Sequence, residues 1–239
     1  MISYLYLYLL YLIFALTPIL FWMFFYFKKD LHPEPKRMIL KVFFGGMLAA
    51  CFVAVFEIAG LKIITGKSLL FVLLESFLLV ALVEEFAKYL VVKIYVFPSP
   101  ELDEPIDVML YMVISALGFA ALENILLFFA VEHPYTAGVA FSFALLRFFG
   151  AVFLHTLTSG VFGFFIALSL CSAKNKKMLY FIGFFIAIIL HGFYNLAITE
   201  LTGFWQYSIP AIIIIILAVF TTYGFIKLKK LKSICKISA

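Results

Sequence analysis

Long apolar runs alternate with short polar segments along the whole chain. Seven of the runs are long enough to cross a bilayer, which takes about 20 helical residues at a rise of 1.5 Å each. They cover residues 2–27, 42–61, 69–92, 108–131, 148–170, 178–198 and 207–226. We therefore predict an all-α polytopic bundle of about seven transmembrane helices, with residues 1–239 as a single integral membrane domain.

The composition supports a membrane protein. The chain is 66% hydrophobic and only 13% charged, whereas a soluble domain carries about a quarter Asp, Glu, Lys and Arg. No hydrophilic stretch is long enough for a separate soluble domain. The first apolar run lacks a basic segment before it and a small-residue cleavage site after it, so we predict a retained helix rather than a signal peptide.

Basic residues predict the orientation. Fourteen of the 18 Lys and Arg residues flank the ends of the first, third, fifth and seventh runs. The positive-inside rule then predicts that, in the cytoplasmic membrane, the amino terminus lies on the outer side and the carboxy terminus on the cytoplasmic side. Lys62, Lys67 and Arg147 fall in loops on the opposite side, and Lys88 is the one basic residue within a run. Lysines beside anionic lipid account for the net charge of +5, so no nucleic-acid partner is needed.

Ten polar or ionisable side chains fall within the predicted spans, where each charge costs roughly 2.5–3.5 kcal/mol unless it is paired or hydrated. They are Glu57, Glu75, Glu84, Glu85, Lys88, Glu123, Asn124, His155, His191 and Asn195. Glu57 and Glu75 lie near the outer ends of their spans, and we expect them to be structural or to line an entrance. The others belong to four consecutive helices between residues 69 and 198.

These four helices share a spacing. Glu84 and Lys88, Phe119 and Glu123, His155 and Ser159, and His191 and Asn195 are all i, i+4 pairs. The members of such a pair lie on one face of a helix. We expect the four faces to look into the bundle and to form a polar pocket in the central to outer half of the membrane.

A pocket of carboxylates, imidazoles and an amide suits hydrolysis of a peptide bond. A carboxylate can take a proton from water, and a His–Asn pair can donate hydrogen bonds to a developing oxyanion. Lys88 would keep Glu84 ionised. Glu85 points about 100° away from Glu84 on the same helix, so we expect one of them to act on water and the other to orient its neighbours.

Other schemes use the same residues. The chain has no HExxH motif and no Asp within a span, which argues against zincin and aspartyl mechanisms. A Ser159 nucleophile with His191, a haem between His155 and His191, and a proton-coupled transporter are alternatives. In a further alternative, the polar groups only bond the helices together as a non-catalytic scaffold.

The ordered motifs resemble those of the PrsW family of intramembrane proteases. The motifs are EExxK at Glu84, Glu85 and Lys88, FxxxEN at Phe119, Glu123 and Asn124, a histidine at His155, and HxxxN at His191 and Asn195. The family is similar to the CAAX prenyl endopeptidases, the bacteriocin-processing proteins and a gamma-secretase scaffold subunit. The resemblance implies a glutamate-dependent endopeptidase, with residues 69–198 as its core, that cleaves a membrane-anchored protein such as an anti-sigma factor.

The resemblance also implies roles for individual residues. Glu84 would be the general base or water-binding carboxylate with Glu85 as its partner, and Glu123 would be a second water-holding group. His191 and Asn195 would be the oxyanion donors, and His155 an additional histidine.

CAAX endopeptidases have His where Glu123 stands, so their Glu–His activation of water does not transfer directly to this chain. Two neighbouring carboxylates would share a proton or bind a metal. Glu84, Glu123, His155 and His191 could hold zinc or another divalent ion, although no spacing in the sequence demands one.

Overall fold

The computed structural model describes residues 2–29, 33–63, 66, 68–130, 136–172 and 174–231. Those residues form helices and no strand, which confirms the all-α prediction. Lys67, Lys232 and Lys236, which entered the prediction of orientation, lie outside them. The helices are α1 (Ile2–Phe27), α2 (Lys36–Leu61), α3 (Leu69–Leu73), α4 (Val83–Tyr95), α5 (Pro105–Phe129), α6 (Ala137–Phe149), α7 (Ala151–Cys171), α8 (Lys176–Glu200) and α9 (Phe204–Lys229). A π-helical segment (Leu74–Leu82) joins α3 to α4.

Membrane-length helices account for most of the chain. In the part that the structure describes, six segments are both long and apolar enough to cross a bilayer, and α6 with α7 counts as one of them. The continuous helix from residue 69 to residue 95 has the length as well, but charges such as Glu84, Glu85 and Lys88 reduce its apolar character. The predicted bundle of about seven spans is therefore observed, with the most polar span in third place.

Helix α5 runs through the centre of the bundle. Every residue from Pro105 to Ala121 is buried. Pro105 in the first turn and a capping box fix where the helix begins, and the Asp107 carboxylate accepts a hydrogen bond from the backbone N–H of Glu104 at 2.7 Å. Helices α1, α2, α4 and α7 pack around α5, so α5 is the element against which the others are positioned.

Two glycines let α2 and α5 cross closely. A Cβ atom added to Gly118 would lie 2.0 Å from the carbonyl oxygen of Phe43, and one added to Gly46 would lie 2.1 Å from the carbonyl oxygen of Ser115. Small residues permit such backbone contact between helices in membranes. The Ser115 hydroxyl also donates to the carbonyl oxygen of Lys88 at 3.0 Å, which ties α5 to α4.

The two ends of the bundle differ. A cavity of about 1030 Å³ lies where α2, α5 and α8 end and α9 begins, and we call this the open end. The closed end, where α2, α5 and α8 begin, is filled by an aliphatic and aromatic core that includes Val92, Met109, Tyr111 and Phe162. Under the predicted orientation, the open end faces the outside of the cell.

Helix α6 is an element that the apolar pattern did not predict. The fifth span was expected to begin at residue 148, but a separate helix of 13 residues precedes it. Thr136 caps this helix by accepting a hydrogen bond from the backbone N–H of Val139, and Gly150 separates α6 from α7. Because α6 packs against α1 and α7, its last turn carries Arg147 into the bundle.

Candidate active site

Lys88 lies at the centre of a buried polar cluster. Its Nζ donates to Glu84 Oε2 at 3.1 Å and to Glu85 Oε1 at 2.9 Å. It lies 2.8 Å from His155 Nδ1, which must be the acceptor because an ammonium has only donors. The centroid of the Phe119 ring is 4.6 Å from the same nitrogen. All three N–H groups of this fully buried ammonium are therefore satisfied, as a charge inside a membrane protein requires.

Glu85 is the most completely bonded carboxylate of the cluster. Besides Lys88, it accepts from the Thr158 hydroxyl at 3.0 Å and from the Ser159 hydroxyl at 3.1 Å. His191 Nδ1 lies 2.9 Å from its Oε1. Glu85 has no exposed surface. Its contacts therefore hold α4, α7 and α8 together and do not present the carboxylate to water.

Glu84 stands between two histidines. Its Oε2 atom is 3.5 Å from His155 Nδ1 and 3.9 Å from His191 Nε2. The other nitrogen of each ring contacts a different carboxylate. His155 Nε2 is 2.8 Å from Glu123, and His191 Nδ1 contacts Glu85. With both rings neutral, each imidazole donates its N–H to that carboxylate, and the nitrogen nearest Glu84 carries the lone pair.

This arrangement fits a divalent metal ion. Glu84, His155 and His191 each offer one ligand atom, and these atoms lie within 4.8 Å of one another. Ligand atoms of a tetrahedral zinc site are about 3.4 Å apart, given bonds of about 2.0–2.1 Å. Histidines that bind metals almost always donate their second N–H to a carboxylate or carbonyl. Glu123, predicted from the sequence as a further ligand, instead lies at the far nitrogen of His155.

Arg147 links Glu123 to the rest of the bundle. Its Nη2 atom is 2.9 Å from Glu123 Oε2, and its Nε–H donates to Asn124 Oδ1. Asn124 in turn donates to the carbonyl oxygen of Ala15 in α1 at 2.9 Å. Asn124 therefore faces α1 rather than the cavity, and it supports the cluster through Arg147.

The cavity at the open end gives access to this cluster. Glu57, Glu84, Glu123, His191 and Asn195 line it together with His155 and Arg147, while α6, α8 and α9 supply apolar walls. Glu123 has a side chain that is 32% exposed. Asn195 lies one turn beyond His191 and is partly buried. The cavity is thus polar where the four motifs meet and apolar where a hydrophobic segment would approach.

The structure brings the motif residues together from four helices. Glu84, Glu85 and Lys88 come from α4, Phe119 and Glu123 from α5, His155 from α7, and His191 and Asn195 from α8. Glu57 also reaches the cavity wall, with an Oε1 atom that is buried and has no hydrogen-bond partner. Glu75 is exposed on the bundle surface.

Arg147 is the main residue that the sequence did not identify. It was assigned to an outer loop, whereas the structure buries it beside Glu123. A local signal in the sequence could have identified the separate helix that carries Arg147. The apolar run from residue 137 to residue 149 follows Thr136, a good helix N-cap, and ends at Gly150, a helix breaker.

Comparison with protein families gives a match over residues 34–223, to the family described as PrsW family intramembrane metalloprotease. The match covers all the motifs and extends on both sides of the 69–198 core predicted from the sequence. That core, and the description of the chain as one domain, stay predictions.

Individual relatives carry the same name. A protein named Protease PrsW from Geobacillus kaustophilus is 31% identical over 174 residues, which is 72% of this chain and 72% of that protein. The Protease PrsW of Bacillus subtilis is 28% identical over 212 residues, or 88% of this chain and 90% of that protein. The Protease PrsW of Clostridioides difficile is 27% identical over 184 residues, 76% of each. No solved structure matches the chain significantly.

Proposed function

The chain belongs to the PrsW family of intramembrane metalloproteases, and we propose that it cleaves a membrane-anchored protein at a site centred on Glu84, His155 and His191. Membership in this family makes it a peptidase and an integral multi-pass membrane protein. The observation that carries the proposal is the convergence of a carboxylate and two imidazoles, each imidazole oriented by a second carboxylate, at the base of a cavity.

The three central residues would hold a divalent metal ion. Once bound, such an ion acts as a Lewis acid that activates water and polarises a peptide carbonyl. Glu85 holds His191 by its Nδ1–H, and Glu123 holds His155 by its Nε2–H, so both rings are fixed before substrate arrives. Fixed ligand geometry limits the reorganisation that the reaction would otherwise require.

Two residues on the cavity wall would act on the substrate and on water. Glu123 presents a partly exposed carboxylate and can accept a proton from water. The Asn195 amide can donate a hydrogen bond to the carbonyl oxygen of the scissile bond, where negative charge develops. The Arg147 guanidinium, 2.9 Å from Glu123 Oε2, holds that carboxylate in place.

The substrate that we propose for this cavity is an apolar segment of a membrane protein. The volume of about 1030 Å³ is at the upper end of the roughly 300–1,000 Å³ found for ligand pockets. Its apolar walls suit the end of a transmembrane segment, and a single-span protein in the cytoplasmic membrane is the substrate class that we propose. Cleavage would occur in the outer half of the bilayer under the orientation predicted from the basic residues.

The test uses a single-span reporter protein expressed with the full-length chain. Glu84→Gln removes the charge with little change in shape and should abolish cleavage. Glu75→Gln, an exposed glutamate on the same continuous helix, is the matched control and should cleave normally. Expression and membrane insertion are followed for both variants. Normal cleavage by a well-inserted Glu84→Gln variant would contradict the proposed site.

A metal-free scheme uses the same atoms differently. In it Glu84 takes the proton from water itself, and His191 joins Asn195 in donating to the carbonyl oxygen. Chelation of the purified protein separates the two schemes. We expect a strong zinc chelator to abolish cleavage and added zinc to restore it, whereas full activity in the demetallated protein would leave the metal-free scheme.

A further inference from the structure

Lys88 occupies donor atoms that a metal ion would need. Its Nζ is 2.8 Å from His155 Nδ1 and 3.1 Å from Glu84 Oε2, and these two atoms are 3.5 Å from each other. Nδ1 has a single lone pair, because the other nitrogen of the ring carries the proton that contacts Glu123. That lone pair can accept a hydrogen bond from Lys88 or coordinate a metal, but it cannot do both.

The Lys88 ammonium keeps two favourable contacts when it no longer donates a hydrogen bond to His155. Glu85 Oε1 lies 2.9 Å from Nζ, and the face of the Phe119 ring lies 4.6 Å away on another helix. A carboxylate and an aromatic face are both favourable partners for a buried cation. Lys88 can therefore stay inside the bundle, paired with Glu85, while Glu84 and His155 turn to another cation.

We propose that Lys88 is an internal competitor for the divalent cation at Glu84, His155 and His191. This inference rests on the metal site of the proposed function. In the metal-free protein, Lys88 offsets one of the two negative charges of Glu84 and Glu85 and keeps the donor atoms together. When a zinc-like ion binds, the Lys88–His155 hydrogen bond breaks, and the remaining positive charge of Lys88 beside the ion weakens the binding. Lys88 thereby sets the metal affinity of the site.

The experiment measures binding rather than catalysis. Full-length protein is purified in detergent, stripped of metal and titrated with Co²⁺, whose visible absorption reports coordination, and then with Zn²⁺ in competition. Lys88→Met should bind each ion at least about tenfold more tightly than the unmodified chain. Lys93→Met is the matched control, because Lys93 is exposed on the same helix, and its affinity should be unchanged. His155→Ala should lose the absorption.

Two outcomes of the titration would overturn the inference. One is an equal or weaker affinity in a folded Lys88→Met variant, and the other is the absence of stoichiometric metal binding by the unmodified chain. Melting temperature and size-exclusion profile report whether the variant is folded. Lys88→Gln, which keeps two N–H donors for the carboxylates, is the second variant and should also bind more tightly.

A measurement on the unmodified chain completes the test. Lys88 is the fully buried lysine of the described residues, so its ¹⁵Nζ-labelled ammonium should exchange slowly and be visible by NMR. Zinc should shift this signal, and an unchanged signal in a zinc-loaded protein would contradict the competition. Failure of any of these tests leaves the Glu84→Gln cleavage assay unaffected, so competition and proteolysis are judged separately.

Discussion

At the closed end, α5 is surrounded by other helices over every residue from Pro105 to Ala121, whereas two residues later the Glu123 side chain is 32% exposed to a cavity. The same helices build both ends. From the middle of α2 and α5 toward the closed end, they approach through glycines and fill the space with aliphatic and aromatic side chains. At the open end they separate and face one another through charges and imidazoles.

The difference shows how a membrane bundle can support a polar site. Charged groups in a bilayer are costly unless they are paired, and pairing needs precise positions. The closed end supplies those positions through close packing, which a cavity cannot do. A substitution at the closed end should therefore affect folding and activity together, whereas one at the open end should affect activity with little change in folding.

The largest effect is expected at the glycine crossing between α2 and α5. Gly118→Leu would push a side chain into the backbone of α2, where a Cβ alone would lie 2.0 Å from the Phe43 carbonyl oxygen. Overpacking costs about 1–3 kcal/mol when side chains can yield, and here the obstacle is backbone. We expect little folded monomer on size exclusion. Gly138→Leu, with no atoms within 4 Å of the added Cβ, is the control. Equal stability of the two variants would contradict the proposed role of the crossing.

The next effect is expected at the cavity wall. Asn195→Ala should lower kcat by about 100- to 1,000-fold, as loss of an oxyanion donor does in other hydrolases. KM should change little, because the hydrogen bond strengthens in the transition state. Steady-state cleavage of a detergent-solubilised substrate gives both constants. Thr199→Ala, one turn further along α8 and exposed, should retain activity. A rise in KM alone would assign Asn195 to substrate binding.

A smaller effect is expected at the carboxylate behind His155. Glu123→Gln should lower the affinity for Co²⁺, measured by titration, by about 10- to 100-fold, the usual result of altering a carboxylate that orients a metal-binding histidine. Arg147→Gln should act through the same carboxylate. The fold-loss of metal affinity in the double variant should therefore be smaller than the product of the fold-losses in the two single variants. Independent, multiplicative losses would show that Arg147 has a separate function.

The smallest effect is expected at Ser159. Its hydroxyl donates to Glu85 at 3.1 Å, and Lys88, Thr158 and His191 remain as partners when it is removed. Ser159→Ala should therefore keep most of the activity and lower the free energy of unfolding by about 1.5–3 kcal/mol, the range for a hydrogen bond to a charged group. Melting curves and cleavage rates measure both. Complete loss of cleavage in a stable protein would favour a serine nucleophile instead.

Much of the fold was predictable because apolar runs of membrane length dictate helices. The i, i+4 spacing also identified polar faces on four helices, and these faces do meet. The third apolar run was predicted to end at residue 92. The third helix extends to Tyr95, and Glu84 Oε2 lies 3.5 Å from His155 Nδ1.

The rest depends on contacts between distant segments, which spacing along one helix does not reveal. Whether Glu123 faces the lone pair or the N–H of His155 depends on the relative rotation of α5 and α7. The place of Arg147 depends on α6, whose apolar sequence looks like the beginning of the fifth span until Gly150 divides it. Asn124 follows Glu123 directly and for that reason faces another helix.

The π-helical segment from Leu74 to Leu82 gives the third helix a tolerance for changes in length. Each i, i+5 turn holds one residue more than an α-helical turn, so the segment carries surplus chain immediately before Glu84. Loss of one residue there could be absorbed by a return to α-helical geometry. Loss of one residue between Glu85 and Lys88 would instead place Lys88 two residues after Glu85, a spacing at which side chains on a helix do not face each other. Insertions and deletions during evolution should therefore be accepted ahead of the EExxK motif and rejected within it.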